Sequence, residues 1–125
     1  LVSKEICRAA DFCGVRSGRD LDKFEATGLT REKASTVNVP LVKESPVNIE
    51  CKVTQVLELG SHDMFLAKVT AVQVDESLLD EKGKLDLNKA HLVAYSHGEY
   101  QTFDNILGTF GYSVKKKDKK EKKKH

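Results

Sequence analysis

Residues 48–74 read NIECKVTQVLELGSHDMFLAKVTAVQV. In the first half Ile49, Cys51 and Val53 alternate with Asn48, Glu50 and Lys52. Successive side chains of a strand point to opposite faces, so one face here is apolar and the other wet. The alternation slips at Val56 and Leu57, which predicts a β-bulge or a sharp twist. Gly60-Ser61-His62-Asp63 is a turn, and residues 64–74 are β-rich, with Phe65, Ala67, Val69 and Ala71 expected on one face. Residues 48–59 and 64–74 therefore form a long antiparallel hairpin.

Upstream the pattern is helical. In residues 2–13 Val2, Ile6, Ala9, Ala10 and Cys13 fall near helical spacing, with Ser3 as N-cap and Gly14 just past the end. A second short helix is expected over residues 20–26, entered at Ser17 or Gly18 and closed by Gly28. Residues 30–34 read as a third turn capped by Thr30. Downstream, residues 75–87 make an excursion with EKGK at its tip, and residues 92–95 one more short strand. Residues 104–107 read as a helical turn, and Gly108 and Gly111 loosen the segment leading to the C-terminal lysines. Helices first and an antiparallel sheet after imply α+β, or a mainly β barrel with α insertions. One hairpin and one short strand make a thin sheet, which points to strands absent at the N-terminal side.

The 125 residues suffice for one domain. No apolar run approaches the length of a membrane span, and no secretory leader is read at the start. Residues 115–124, KKKDKKEKKK, set eight lysines against one Asp and one Glu, a net +6. With +2 overall, the remainder carries −4, so the folded part, residues 1–114, is mildly acidic and residues 115–125 form a basic tail expected to be disordered. An acidic body argues against nucleic-acid binding beyond weak contact by that tail. Three cysteines, Cys7, Cys13 and Cys51, give an odd count without CxxC spacing, so neither a disulfide framework nor a zinc site is read. They fit a reducing, cytoplasmic setting.

Ser17-Gly18-Arg19-Asp20, with Lys23 one turn later, is the most suggestive local cluster. Backbone N–H groups at a helix start, joined by Arg19 and Lys23, suit an anion; an N-capped surface helix with solvated charges has the same pattern. His62 in the GSHD turn fits a cofactor donor or acid, and equally a solvated turn residue. His91 and His97 lack a third metal ligand. Tyr95, Tyr100, Phe103, Phe110 and Tyr112 suit a planar ring, or a core and dimer contact. No nucleophile-and-base arrangement stands out.

Taken in order, AADFCGVRSGRDLDKFEATGLT, SPVNIECKV, LGSHDMFLAKVTAVQVDE, AYSHGEY and GTFGYSVKKK resemble flavin-reductase-like proteins of the flavoredoxin type, from about Ala9 to Lys117. The resemblance implies a split β-barrel that binds FMN, with FAD as the alternative, and NAD(P)H as reductant. It implies a homodimer with flavin near the subunit interface. By position it assigns Ser17, Gly18, Lys23 and, more weakly, Arg19 to the flavin edge or phosphate. It assigns His62 to the neighbourhood of flavin and nicotinamide, and Tyr95, His97 and Tyr100 to a segment approaching the flavin. Family members begin with strands that have no counterpart before Leu1, so the barrel is expected to be incomplete. A flavin reductase, a non-catalytic flavin-binding electron carrier and a truncated cofactor-free assembly fragment are all compatible with this resemblance.

Overall fold

The computed structural model describes residues 1–103 and 105–115. The chain opens with a 3-10 turn, Lys4–Ile6, that runs into α1 (Cys7–Val15). Gly14 lies inside α1 and does not terminate it. A second helix, α2, covers Lys23–Thr27, starting three residues later than the sequence suggests. The reason is Asp22, whose carboxylate accepts from the backbone N–H groups of Phe24 and Glu25 and so caps the helix. Gly28, at φ 71°, closes α2 in the left-handed conformation that glycine adopts without strain.

Residues 30–34 do not form the expected turn of helix. Two residues, β1 (Arg31–Glu32), pair antiparallel with β2 (Leu41–Val42). The Thr30 N–H donates to the Glu44 carboxylate rather than starting a helix.

The long hairpin forms as read, from β3 (Val47–Glu58) and β4 (Asp63–Val74). Its register carries two bulges. Thr70 is an extra residue in β4 and Thr54 an extra residue in β3. The first of these corrects the sequence reading of β4. Because Thr70 is inserted, Val69 pairs with Cys51 and Val72 with Ile49, while Ala71 pairs with Glu50 on the opposite face. The second realigns Val56 with Phe65. Together the bulges collect Val47, Ile49, Cys51, Val53, Val56, Phe65, Ala67, Val69, Val72 and Val74 on one face.

That face is mostly uncovered. Ile49, Val53, Val56, Phe65, Val69 and Val72 are 45–62% exposed. Only its base is packed, where Val47 joins Leu78 and Ala90, flanked by Val74 and Leu92. Leu78 comes from the excursion and Ala90 from just past its end; the two 3-10 turns that hold them, Glu76–Leu78 and Leu87–Ala90, fold back on the hairpin base.

The last strands are β5 (Val93–Ser96) and β6 (Glu99–Thr102), a second hairpin of which the sequence reading has only one strand. His97 (φ 51°) and Gly98 (φ 83°) both take positive φ between them, as a tight two-residue hairpin turn requires. His97 is therefore a turn residue with a backbone reason for its place. Replacing it with Asn should keep the hairpin, while Val should cost about 1–2 kcal/mol in a thermal melt.

The fold is mainly β with few helices, in three two-stranded sheets that do not close on one another among the described residues. Residues 105–107 are not helical; Asp104 and residues 116–125, including most of the basic tail, lie outside the described residues. Gly108 lies beneath the Tyr112 ring, where a Cβ would come within 2.5 Å of ring carbons, so its role is close packing. No helix among the described residues is long and apolar enough to cross a membrane.

Candidate functional site

The segment between α1 and α2 is a compact turn. The Ser17 hydroxyl accepts from the Arg19 N–H at 3.2 Å, and the Ser17 carbonyl accepts from the Asp20 N–H at 3.2 Å. These amides do not open a helix, because Asp22 caps α2 further on. The expected helix-dipole contribution at Ser17 and Gly18 is thus absent, and the polar groups stand on turn geometry alone.

Lys23 is the organising cation of this turn. Its ammonium donates to the carbonyl of Cys13 in the last turn of α1. A cation there satisfies an otherwise unpaired helix-end carbonyl and opposes the helix dipole favourably. An ammonium has three N–H donors, so the turn retains donor capacity beyond that bond. A Cβ built on Gly18 would meet only the Lys23 Cε, at 3.8 Å, an ordinary contact. Gly18 also has no positive φ. Neither packing nor backbone conformation within the chain therefore demands glycine at 18. Arg19 is exposed, and its backbone N–H is what engages Ser17.

Asp22 links this turn to β1. Its carboxylate forms an ion pair with the Arg31 guanidinium, which also lies 4.4 Å from the centroid of the Phe24 ring. Hydrogen bonding from Arg31, then from the Glu25 backbone, holds the Asp22 carboxyl below its ordinary value. The sequence reading missed Asp22, although an Asp one residue before an amphipathic run was a visible N-cap signal.

A second grouping joins α1 to β5 and β6. Tyr95 and Tyr100 are cross-strand partners whose rings meet edge to face at 5.1 Å. The Tyr100 hydroxyl donates to the Asp11 carboxylate at 3.0 Å. That hydrogen bond raises the phenol pKa, with burial and the Asp11 charge adding to it. Tyr95 presents a ring that is 67% exposed. His97 lies in the turn beyond this pair.

His62 stands apart from both groupings, at the tip of the long hairpin. Its Nδ1 lies 3.0 Å from the Ser61 hydroxyl, and its carbonyl accepts from the Leu59 N–H. The chain thus brings Ser17, Gly18 and Lys23 together, and Tyr95 together with Tyr100. Among the described residues, no hydrogen bond or ring contact joins either set to the other or to His62. A cleft of about 460 Å³ opens elsewhere, between α1 and α2, lined by residues that include Glu5, Arg8, Phe12 and Leu29. No group of three or more His, Cys, Asp or Glu residues with metal-binding geometry occurs among the described residues. The three cysteines are free.

The relations of this chain to known proteins agree with its architecture. The family described as Flavin reductase like domain matches residues 1–104. Flavoredoxin of Desulfovibrio vulgaris (Miyazaki F) superposes with a TM-score of 0.82 at 33% identity, over 92% of this chain and 62% of its own. A split-barrel-domain protein from Shewanella frigidimarina NCIMB 400 superposes with a TM-score of 0.72 at 29% identity, over 86% of this chain and 56% of its own. An uncharacterised protein of Archaeoglobus fulgidus is 33% identical over 86 residues, 69% of this chain. The chain spans 48% of that relative's length. The match to this family over residues 1–104, with a mainly β arrangement of open two-stranded sheets that superposes on a solved split-barrel structure, places the chain in the flavin-reductase-like family.

Proposed function

We propose that this chain is the flavin-binding part of an electron-transferring flavoprotein, using FMN in preference to FAD and NAD(P)H as reductant, and working as a homodimer in a reducing, cytoplasmic compartment. The observation that carries this reading is the family match across residues 1–104 together with the turn at Ser17, Gly18 and Lys23. That turn offers an ammonium with donors left beyond its bond to the Cys13 carbonyl, and a glycine without an internal purpose. Both are what an anionic group approaching the backbone requires.

The residues fit such a group in part. Lys23 and the turn would hold an anionic edge or phosphate, with Arg19 as an outer cation. Tyr95 would offer an exposed aromatic face, while Tyr100 and His97 would support it. His62 would contribute a donor from the hairpin tip. Lys23 and Tyr100 both bond to α1, at Cys13 and Asp11, whereas among the described residues no hydrogen bond or ring contact ties His62 to either. The homodimer rests on the family resemblance and on the uncovered apolar face of the β3–β4 hairpin.

Flavin, when bound, supplies the redox chemistry, and the chain's task is to bind, orient and shield it. Lys23 would place positive charge against the anionic part, and the exposed face of Tyr95 would stack on a planar ring. No side chain of the cluster needs to act as a covalent nucleophile.

Purified chain reconstituted with FMN should show flavin absorbance and should consume NAD(P)H when free flavin is supplied. Tight FMN binding without NAD(P)H consumption would identify a carrier in place of a reductase. Protein that cannot be loaded with FMN or FAD would end the reading. A sharper check uses Gly18→Ala. The added methyl has room within the chain, so the melting temperature should stay unchanged while FMN affinity falls.

A further inference from the structure

Glu50 takes no part in the site proposed above, yet it is the most completely buried polar residue described, at 1% exposure. Its Oε1 accepts from the backbone N–H of Ser35 at 3.0 Å, the N–H of Thr36 at 2.6 Å and the Thr36 hydroxyl at 2.9 Å. Its Oε2 accepts from the Ser35 N–H at 3.1 Å, the Ser35 hydroxyl at 2.9 Å and the Gln73 carboxamide. Every one of these donors is neutral. The ion pair found among the described residues is elsewhere, between Arg31 and Asp22. Lys52 and Lys68 pair across the strands on the same face of the hairpin, without an ion pair to Glu50.

Two consecutive amides converging on one group make a concavity that favours anions. The two hydroxyls and the carboxamide finish it around two coplanar oxygens. An ionised carboxylate is purely an acceptor, so all these donors are satisfied together only while the group is charged. The Thr70 bulge belongs to the same arrangement. It sets the Thr70 hydroxyl 2.6 Å from that of Thr36 and 3.2 Å from the Glu50 carbonyl. Burial alone would raise the Glu50 pKa, but the amides of Thr36 and Ser35, with Gln73 and the Thr36 hydroxyl, outweigh it and hold the carboxyl far below the usual range.

We propose that Ser35, Thr36 and Gln73 form a built carboxylate-binding site, occupied by Glu50 of the same chain and able to take a small free carboxylate once that side chain is removed. By this contact the segment after β1 is fastened across the polar face of the hairpin, and the fastening depends on negative charge rather than on volume. An uncharged isostere therefore fails where a free carboxylate succeeds.

The test is amide hydrogen exchange at Ser35 and Thr36. Glu50→Gln keeps the volume but turns an amide N–H₂ toward donors, so protection should fall on the order of tenfold or more, as expected for losing hydrogen bonds to a charged group. Glu50→Ala should lose protection likewise, and formate should restore it saturably where chloride at equal ionic strength does not. Full protection in Glu50→Gln, or formate acting no better than chloride, overturns the proposal. If Glu50→Ala does not fold, Gln73→Leu decides: it removes one donor and should raise the Glu50 pKa measured by NMR, and an unmoved value overturns the proposal.

Discussion

Val53→Lys combined with Val69→Lys should convert a self-associating chain into a largely monomeric one. Both residues lie on the apolar face of the β3–β4 hairpin, and both are more than half exposed. Contiguous apolar patches beyond a few hundred Å² are rare on soluble monomers and mark contact surfaces. Burying one Val or Phe side chain yields about 1.5–3 kcal/mol, so six such residues are ample to hold an interface. A charge buried there without a partner costs far more than a valine contributes. Light scattering after size exclusion should show dimers or larger species for the unaltered chain, and binding of a hydrophobic dye. Both should drop sharply in the double variant. A Gln55→Lys control, on the other face of the same sheet, should change neither. An unaltered chain that stays monomeric at high concentration and ignores the dye would show that this face is not a contact surface.

How that face is assembled shows what the sequence discloses and where it stops. The β3 alternation through Ile49, Cys51 and Val53 is a period-two signal, and the structure follows it. The slip near Val56 announces a bulge, and the extra residue is Thr54, two positions earlier. The Thr70 bulge leaves no such trace, because Phe65, Ala67, Val69 and Ala71 alternate cleanly as they stand. What fixes Thr70 is tertiary, a polar network reaching to Thr36, 34 residues away. Within LTREKASTVNVP residues 30–34 read locally as a turn of helix, and the importance of the segment arises only when Ser35 and Thr36 meet Glu50. Strand β1, two residues long, is too short to show a period. The β5–β6 hairpin does carry a local signal in its turn. His97-Gly98 stands where Asn-Gly would be recognised at once, and histidine is among the residues that tolerate positive φ.

The site residues divide the same way. Ser17, Gly18 and Lys23 are close in sequence, and the turn brings them together. Their helix-start interpretation failed because Asp22 captures the amides of Phe24 and Glu25 and so begins α2 further along the chain. Asp11 was invisible as a partner of Tyr100 because 89 residues separate them. Sequence spacing identifies chemistry within one turn or hairpin; contacts between elements depend on packing that spacing does not encode.

Lys23→Ala should weaken FMN binding by about 10- to 100-fold, and His62→Ala by much less. The first figure follows from losing a hydrogen bond between charged groups, about 1.5–3 kcal/mol. His62, at an exposed turn with Ser61 as its side-chain partner, has a smaller stake. Lys23 carries a second function that must be separated from the first. Its bond to the Cys13 carbonyl ties α2 to the end of α1, an arrangement worth about 0.3–1 kcal/mol for a cation near a helix C-terminus. Lys23→Ala should therefore lower the melting temperature slightly as well as the affinity. A purely structural role predicts a different pattern. If Lys23 only steadies α1, its loss should cost affinity no more than an equal destabilisation introduced elsewhere, for example at Asp22, whose removal uncaps α2 and frees Arg31. Affinities measured by fluorescence titration, at a temperature where circular dichroism shows all variants folded, distinguish the two. An Asp22→Ala variant that melts lower but binds FMN nearly normally, beside a Lys23→Ala variant that melts nearly normally but binds poorly, places the ammonium against the ligand. Equal or reversed losses for Lys23→Ala and His62→Ala would remove Lys23 from that position and leave it as the cap of α1.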